Sequence, residues 1–163
     1  MNARKVPFIT LIVVLILILS TFAASAANAH FIYAKASGPD RAGALLISFK
    51  IAGLGNNFTT TITVSGNASA LYACRNRGGN FPSDPKKQQV SGPVANSGVF
   101  TSGKNGQITG SLRLTPPPSS LVCPSGQSVV LVWVTYTNVQ VSAPVAGAQT
   151  IPGTFSRTYY TLR

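Results

Sequence analysis

The chain has 163 residues, with 13 lysine and arginine residues against two acidic ones and a net charge of +11. This length fits one domain with a substantial core and is too short for two ordinary domains. The scarcity of acids excludes most chemistry that depends on paired carboxylates, and the basic balance favours anionic neighbours.

The N-terminal segment has the three parts of a secretory signal. A basic start precedes an apolar run over 8–19 and a stretch of small residues that ends at Ala29. We therefore predict a signal helix over 1–29 and one secreted domain over 30–163, with cleavage after Ala26 as the alternative. An uncleaved membrane anchor is the other alternative, but the apolar run is short for a bilayer and small residues suited to cleavage follow it. No stable membrane span is expected after cleavage.

Cleavage after Ala29 makes His30, the only histidine of the chain, the first residue of the mature protein. Histidine is the commonest metal ligand, so copper bound by the amine and ring of His30 is one functional alternative. A two-histidine copper site requires a second histidine, which the sequence lacks. The favoured interpretation is that His30 begins the first strand and that the protein uses no metal or cofactor.

After the signal, the apolar pattern has a period of two, which predicts strands nearly throughout and no helix. In 45–51 the odd positions are apolar while Ser48 and Lys50 face the other way, as in a strand with one buried face. Proline-, alanine- and glycine-rich runs over 115–120 and 142–153 predict long connections. The remaining strands are predicted over 31–36, 58–64, 70–74, 90–95, 99–102, 107–114, 129–137, 139–142 and 154–162.

Two features suggest how the strands are arranged. Asn105-Gly106 tolerates the positive φ of a tight turn, so the strands on either side, 99–102 and 107–114, are predicted to pair as a hairpin. The nearly continuous apolar run over 129–134 predicts a central strand covered on both faces. Many short strands between frequent turns favour an all-β fold, an immunoglobulin-like Greek-key sandwich of two sheets.

Cys74 and Cys123 are predicted to form a disulfide bond, because an exported chain meets an oxidising environment. A redox role lacks a CxxC spacing, and a metal role lacks companion ligands. Immunoglobulin domains have a tryptophan between their cysteines, whereas Trp133 follows both here. Cys123 comes after three prolines, so the bond is expected to pin two connections and not to join two sheets.

The segment 75–89 is the best candidate for a functional surface. Cations beside an exposed aromatic ring can clasp a polyanion by charge and stacking, so a polyanion-binding module is one alternative. An ordinary solvated loop explains the same residues, because loops collect polar side chains. The candidate residues are Arg75, Arg77, Lys86, Lys87 and Phe81.

Catalytic patterns are missing from the sequence. The only acids, Asp40 and Asp84, lie in turn sequences. A Ser-His-Asp triad would depend on His30 at the start of the domain, and no G-x-S-x-G, phosphate-loop or zinc spacing occurs. Two glycosylation sequons begin at Asn57 and Asn67, and both asparagines are interpreted as turn residues. The prediction is a protein that is not an enzyme.

Several short segments resemble an uncharacterised family of small secreted bacterial proteins. They are ACRNRGGN at 73–80, SGPV at 91–94, SGKNGQ at 102–107, CPSGQ at 123–127 and GTFSR at 153–157. The likeness covers most of 30–162. The resemblance implies an exported single domain and transfers no catalytic residue.

The expected function is structural, adhesive or binding, at the cell exterior. The expected partner is an anionic cell-surface polymer or a polysaccharide, reached through basic contacts. No specific contact with nucleic acid is expected.

Overall fold

The computed structural model describes residues 28–162 of the chain, which form eight strands and no helix. The predicted signal helix over 1–29 lies outside the described residues, apart from its last two positions. No helix of the described part is long and apolar enough to cross a membrane. The strands are β1 (His30–Ser37), β2 (Leu45–Ala52), β3 (Thr59–Asn76), β4 (Lys87–Thr101), β5 (Ile108–Leu114), β6 (Gln127–Ala143), β7 (Gly147–Thr150) and β8 (Phe155–Thr158).

The strands form two antiparallel sheets that pack face to face. The smaller sheet has the order β1-β2-β5, and the larger has the order β4-β3-β6-β7, with β8 also paired to β6. Strands of the smaller sheet have seven or eight residues, whereas β3, β4 and β6 have 18, 15 and 17. The predicted all-β fold with two sheets is confirmed, and the larger sheet extends beyond the smaller one.

The core lies between the inner faces of the two sheets. Odd-numbered residues of β2 are buried and even-numbered ones are half-exposed, as the alternating sequence predicts. Each fully buried large aliphatic side chain contributes about 1.5–3 kcal/mol relative to an exposed one. From the larger sheet, the core receives Ile62, Val64, Ala68, Ala70, Val134, Tyr136, Val139 and Val141.

Two glycines make room for the Phe100 ring between the sheets. A Cβ at Gly110 would lie 2.6 Å from Phe100 Cε1, and one at Gly98 would lie 2.9 Å from Phe100 Cε2. The ring instead packs edge-on against Phe49, with 5.3 Å between ring centroids. Glycine is therefore required at both positions by the close approach of this ring.

Each of the three long strands, β3, β4 and β6, joins two strands that the sequence pattern predicts as separate. Gly66, Gly98 and Asn138 interrupt the predicted alternation, yet the strand continues through each of them. Pairing with neighbouring strands outweighs the low strand propensity of glycine and asparagine. The joined segments are 58–64 with 70–74 in β3, 90–95 with 99–102 in β4, and 129–137 with 139–142 in β6.

The predicted hairpin around Asn105-Gly106 is wrong. The turn itself forms, with φ of 67° at Gly106, but β4 pairs with β3 and β5 pairs with β2, so the turn carries the chain from one sheet to the other. Ser102 fastens the end of β4 where the chain leaves the larger sheet. Its N–H donates to Phe58 O at 2.8 Å and its hydroxyl donates to Gly55 O at 2.6 Å, which ties the end of β4 to the β2–β3 connection.

Three further predictions are corrected in the C-terminal half. The apolar run over 129–134 does lie in a central strand, β6, but Val129 is 40% exposed, so the run is not covered on both faces throughout. The predicted connection 142–153 contains β7, whose four residues pair with the end of β6. Of the predicted strand 154–162, only Phe155–Thr158 is a strand.

Candidate binding surfaces

The disulfide bond between Cys74 and Cys123 is present, with 5.5 Å between the Cα atoms. Cys123 lies in the connection between β5 and β6, as predicted, whereas Cys74 is fully buried within β3 and not in a connection. The bond therefore fastens a connection onto the larger sheet. Closing a loop of this length stabilises the fold by about 4 kcal/mol on the chain-entropy account.

The β5–β6 connection, residues 115–126 and here called the proline loop, covers the end of the larger sheet that the smaller sheet does not reach. The Tyr72 hydroxyl donates to Pro117 O at 2.8 Å. Gln88 donates through Nε2 to Ser120 Oγ at 2.9 Å and accepts from Ser119 Oγ at 2.7 Å. Burial at this contact raises the pKa of Tyr72.

The predicted basic residues lie together at this same end of the larger sheet. Arg75 belongs to β3 and Lys87 begins β4, so only part of the segment 75–89 is a loop. Arg77, Lys86 and Lys87 are exposed, and the Cys74 N–H donates to Lys86 O at 2.8 Å. The fold thus places three solvent-facing cations around the β3–β4 turn.

Arg75 and Phe81 are held by the C-terminal segment. Arg75 Nε donates to Gly79 O at 2.7 Å, and its guanidinium carbon lies 4.6 Å from the centre of the Tyr160 ring. Phe81 meets the Tyr160 ring edge-on, with 5.7 Å between centroids. Phe81 is therefore half-buried, and the prediction that it is exposed is wrong. Its covering partner lies 79 residues away in the sequence, which local patterns do not reveal.

A cleft of about 620 Å³ opens beside these rings. Its walls combine two aromatic side chains with backbone and small polar groups from the β3–β4 turn and the C-terminal segment. The lining residues are Gly79, Asn80, Phe81, Pro82, Ser83, Tyr160 and Thr161.

The outer face of the larger sheet has a different character. Between the row of Thr59 and Thr101 at one end and the row of Leu71 and Gln89 at the other, it presents no charged side chain. We call this surface the neutral face. Its members are Gln89, Ser91, Pro93, Ala95, Ser97, Val99 and Thr101 of β4; Thr59, Thr61, Thr63, Ser65, Asn67, Ser69 and Leu71 of β3; Trp133, Thr135, Thr137, Gln140 and Ser142 of β6; and Ala148, Thr150, Ser156 and Thr158 of the edge strands.

Hydroxyl groups on the neutral face bond to one another across β3 and β4. Thr59 Oγ1 lies 2.9 Å from Thr101 Oγ1, and Thr63 Oγ1 lies 2.8 Å from Ser97 Oγ. Such cross-strand pairs each contribute a few tenths to 1 kcal/mol. They hold the side chains in fixed positions while leaving further lone pairs open to solvent.

Two glutamines extend this network at either side of Asn67. Gln140 Nε2 donates to Ser65 Oγ at 3.2 Å, and Gln89 Nε2 donates to Ser69 Oγ at 3.2 Å. Ser69 Oγ also lies 2.7 Å from Ser91 Oγ. The amide oxygens of both glutamines remain available to a ligand.

The remaining titratable groups serve the fold. Asp40 Oδ1 accepts the N–H groups of Ala42 at 2.8 Å and Ala44 at 3.0 Å, and Oδ2 pairs with Arg113 at 2.5 Å. Burial alone raises the pKa of Asp40, but the N–H groups of Ala44 and Ala42 and the Arg113 guanidinium outweigh it and lower the pKa below its ordinary value. Asp40 thus shapes the β1–β2 turn, as predicted, and Asp84 lies in a bend of the β3–β4 turn.

His30 is exposed at the start of β1, with Nδ1 2.7 Å from Asn28 O. Within 28–162, no three histidine, cysteine, aspartate or glutamate side chains come together as metal ligands would. Copper binding at His30 stays an untested alternative to the favoured interpretation, in which His30 only begins the first strand.

Sequence patterns missed Asn67 as a surface residue. Asn57 does lie in a turn, with φ of 53°, but Asn67 lies inside β3, exposed at the middle of the neutral face. The available signal was the alternation of β3, which puts Thr, Ser or Asn at odd positions from 59 to 69 and continues across Gly66.

Comparison of the chain with protein-family models, curated proteins and solved structures gave no match.

Proposed function

We propose that the protein is an exported, non-enzymatic binding module that adheres to a polymer at the cell exterior through the neutral face. The observation that carries this proposal is the distribution of charge. A chain with a net charge of +11 leaves one large exposed surface without a charged side chain, and most of the side chains on that surface carry hydroxyl or amide groups.

Such a surface is suited to contact with another uncharged, hydroxyl-bearing surface. Hydroxyl and amide groups exchange hydrogen bonds with water for hydrogen bonds with a ligand at little net free energy, whereas burying an unpaired charge costs several kcal/mol. Cross-strand hydrogen bonds already order these side chains, so less conformational entropy is lost when a ligand binds.

The test is retention of the protein on insoluble neutral polysaccharides, with microcrystalline cellulose, chitin and insoluble starch as the probes. Changing Ser65→Lys together with Thr135→Lys adds two charges to the neutral face, and we expect at least tenfold weaker retention. The matched control, Ser111→Lys with Thr109→Lys, adds the same charges to the outer face of the smaller sheet and should retain binding. Equal retention of both variants, or no retention of the wild type, contradicts the proposal.

Export is part of the proposal. The basic and apolar N-terminal segment supports it, and the disulfide bond is compatible with an extracellular location. The resemblance to small secreted bacterial proteins points the same way. Mass spectrometry of the protein made in an exporting bacterial host is expected to give an N-terminus at His30 or at Ala27. An intact Met1 on the mature protein contradicts export by cleavage.

We also propose that the sandwich is of the immunoglobulin-like Greek-key type. The order β1-β2-β5 in one sheet and β4-β3-β6-β7 in the other corresponds to strands A-B-E and C′-C-F-G. The connections β2–β3, β4–β5 and β5–β6 cross between the sheets, as that topology requires. A crystal structure with a different strand order would overturn this assignment.

A second candidate function is polyanion binding at the β3–β4 turn, supported by the exposure of Arg77, Lys86 and Lys87 on one end of the molecule. Replacing these three residues with glutamine is expected to lower the salt concentration that elutes the protein from heparin. The matched control removes the same charges elsewhere, at Arg41, Lys35 and Lys104. An equal shift for both triple variants means that net charge alone is responsible.

A further inference from the structure

We propose that a trough around Asn67, at the centre of the neutral face, binds a single chain of a neutral polysaccharide. This rests on the proposed function of the neutral face and names its ligand class and its central residue. The proposal is carried by the shape of the sheet at Asn67, by the hydrogen-bonding groups around it and by the location of the charges.

Two shallow depressions meet at Asn67. One has a volume of about 510 Å³ and lies between β4, β3 and β6 on the side of Ser65 and Gln140. The other has a volume of about 330 Å³ and continues on the side of Ser69 and Thr135. Both depressions are lined by Asn67, which stands between them, and together we call them the trough.

An irregularity in the β3–β6 pairing produces the trough. Asn67 pairs with Thr137 and Ser65 pairs with Gln140, so two residues of β6 stand opposite Gly66 alone. Asn138, one of the two, has φ of 52°. A bulge of this kind bends the strand and redirects its side chains, and bulges are common beside functional sites. Serine, alanine and glycine residues line the two depressions together with Pro93 and Thr137, the cross-strand neighbours of Asn67.

Asn67 is the polar group best placed to contact a ligand in the trough. Its side chain is exposed, and within the described residues its amide makes no hydrogen bond to another side chain or to the backbone. One amide offers a donor and an acceptor side by side, which suits two adjacent hydroxyl groups of a sugar ring. The neighbouring amides of Gln140 and Gln89 are held by Ser65 and Ser69.

Trp133 provides an aromatic surface along the same direction. It pairs with Leu71, four residues beyond Asn67 on β3, which is about 13 Å along the strand. Its ring is half-buried on the neutral face, so part of it stays open to solvent. Amphipathic rings such as tryptophan combine apolar contact with a polar edge. An extended sugar chain in the trough would therefore reach both Asn67 and Trp133.

The location of the charges favours a neutral chain over an acidic one. The first cation along the outer side of β4 is Lys87, six residues or about 20 Å from Pro93 in the trough. At Asn67 an acidic polymer would gain little, because that separation exceeds the screening length at physiological salt. Only the end of the ligand near Trp133, two residues along the strands from the row of Lys87, would approach this cation.

The experiment measures binding of cellohexaose, chitohexaose and maltohexaose to the protein by isothermal titration calorimetry. At least one neutral hexasaccharide should bind, and Asn67→Ala should weaken that binding at least tenfold. The control Thr61→Ala, on the same strand and face but outside the trough, should change it less than twofold. Thermal unfolding of both variants shows whether they remain folded. Binding of a heparin hexasaccharide is measured in the same way, as the comparison with an acidic oligosaccharide.

Several outcomes would overturn the inference. The first is that no neutral hexasaccharide binds, and the second is that Asn67→Ala binds as tightly as wild type. The third is that the heparin hexasaccharide binds in the trough and the neutral hexasaccharides do not. Loss of polysaccharide retention in the Ser65→Lys, Thr135→Lys variant together with unchanged behaviour of Asn67→Ala would leave the neutral face as the binding surface and overturn the central role of Asn67. If neither variant changes binding, both the neutral face and the trough are excluded as the binding surface.

Discussion

Tyr136 joins the two sheets through one hydroxyl group in the core. Its oxygen lies 2.7 Å from Gly43 O, just before β2, and 3.2 Å from Leu114 O, at the end of β5. Its single proton is therefore directed at these two backbone carbonyl groups. Burial, with smaller effects from Tyr159, Tyr72 and Asp40, raises the pKa of Tyr136 well above its ordinary value. The side chain therefore stabilises the fold only in its neutral form.

Replacing Tyr136 with phenylalanine is expected to lower the free energy of unfolding by about 1–3 kcal/mol, because two buried carbonyl oxygens lose their donor. Chemical denaturation at neutral pH measures this loss. Tyr33→Phe, on the outer face of the smaller sheet, is the control and should have a much smaller effect.

The same variant tests the titration of this group. A tyrosine whose pKa is raised by folding contributes stability that is fully present below its ordinary pKa, near 10, and is lost as the pH rises through the folded value. Wild-type stability should therefore fall above pH 10, and the Tyr136→Phe protein should lose less over the same range. Parallel curves for the two proteins would contradict this account.

At this scale the sequence predicts residue types better than residue environments. It indicates that Cys74 and Cys123 pair, since only two cysteines are present. It fails at Phe81 and Asn67, because the first is covered by Tyr160 from the far end of the chain and the second is kept in a strand by two neighbours. Long-range partners decide both environments.

Among the elements, the long strands β3, β4 and β6 depart furthest from the local pattern. The apolar alternation predicts where each strand runs and which face is buried. It does not predict that Gly66, Gly98 and Asn138 lie inside strands, because those residues are tolerated only once a neighbouring strand satisfies their backbone. Nor does a turn sequence such as Asn105-Gly106 report whether the chain returns to the same sheet.

The proline loop depends on the disulfide bond for its attachment. Changing both Cys74→Ala and Cys123→Ala should lower the free energy of unfolding by up to about 4 kcal/mol, as the unfolded chain gains entropy. Limited proteolysis should then cleave within 115–126 before other segments. Chemical denaturation checks the first expectation and mass spectrometry of the fragments the second. An unchanged stability, or first cleavage elsewhere, would show that Tyr72 and Gln88 hold the loop unaided.

For the whole molecule, composition and periodicity predict the fold class, and the structure adds how the two layers differ. The smaller sheet carries Lys35 and Lys50 on its outer face, whereas the larger sheet carries none between its end rows. That asymmetry arises from which strands pair with which, so a list of charged residues along the chain does not reveal it.

The open edge of the larger sheet is the part of the molecule most exposed to association with other copies. β4 pairs only with β3 along 15 residues, and exposed edge strands of this length promote pairing between chains. Pro93 removes one backbone donor at the middle of β4, and its uninterrupted pairing with Asn67 indicates that the missing donor faces outward.

Pro93→Thr restores this donor and should cause concentration-dependent self-association, most clearly in high salt, which screens the repulsion between basic molecules. Light scattering after size-exclusion chromatography measures the change against wild type. The control Pro144→Thr alters a proline in the β6–β7 turn and should leave the mass distribution unchanged. A Pro93→Thr protein with the same mass as wild type at all concentrations would exclude the role of this edge.

The overhang of the larger sheet also has a consequence for amide hydrogen exchange. Where the two sheets overlap, exchange of core amides requires the sandwich to separate, so protection there reports global unfolding. At the other end, the second layer is the proline loop. This loop forms no strand pairing of its own and can detach from the larger sheet while the rest of the protein stays folded. Amides near Tyr72 and Gln88 should therefore exchange through a smaller, local opening, and the covalent link at Cys74 limits how far that opening extends.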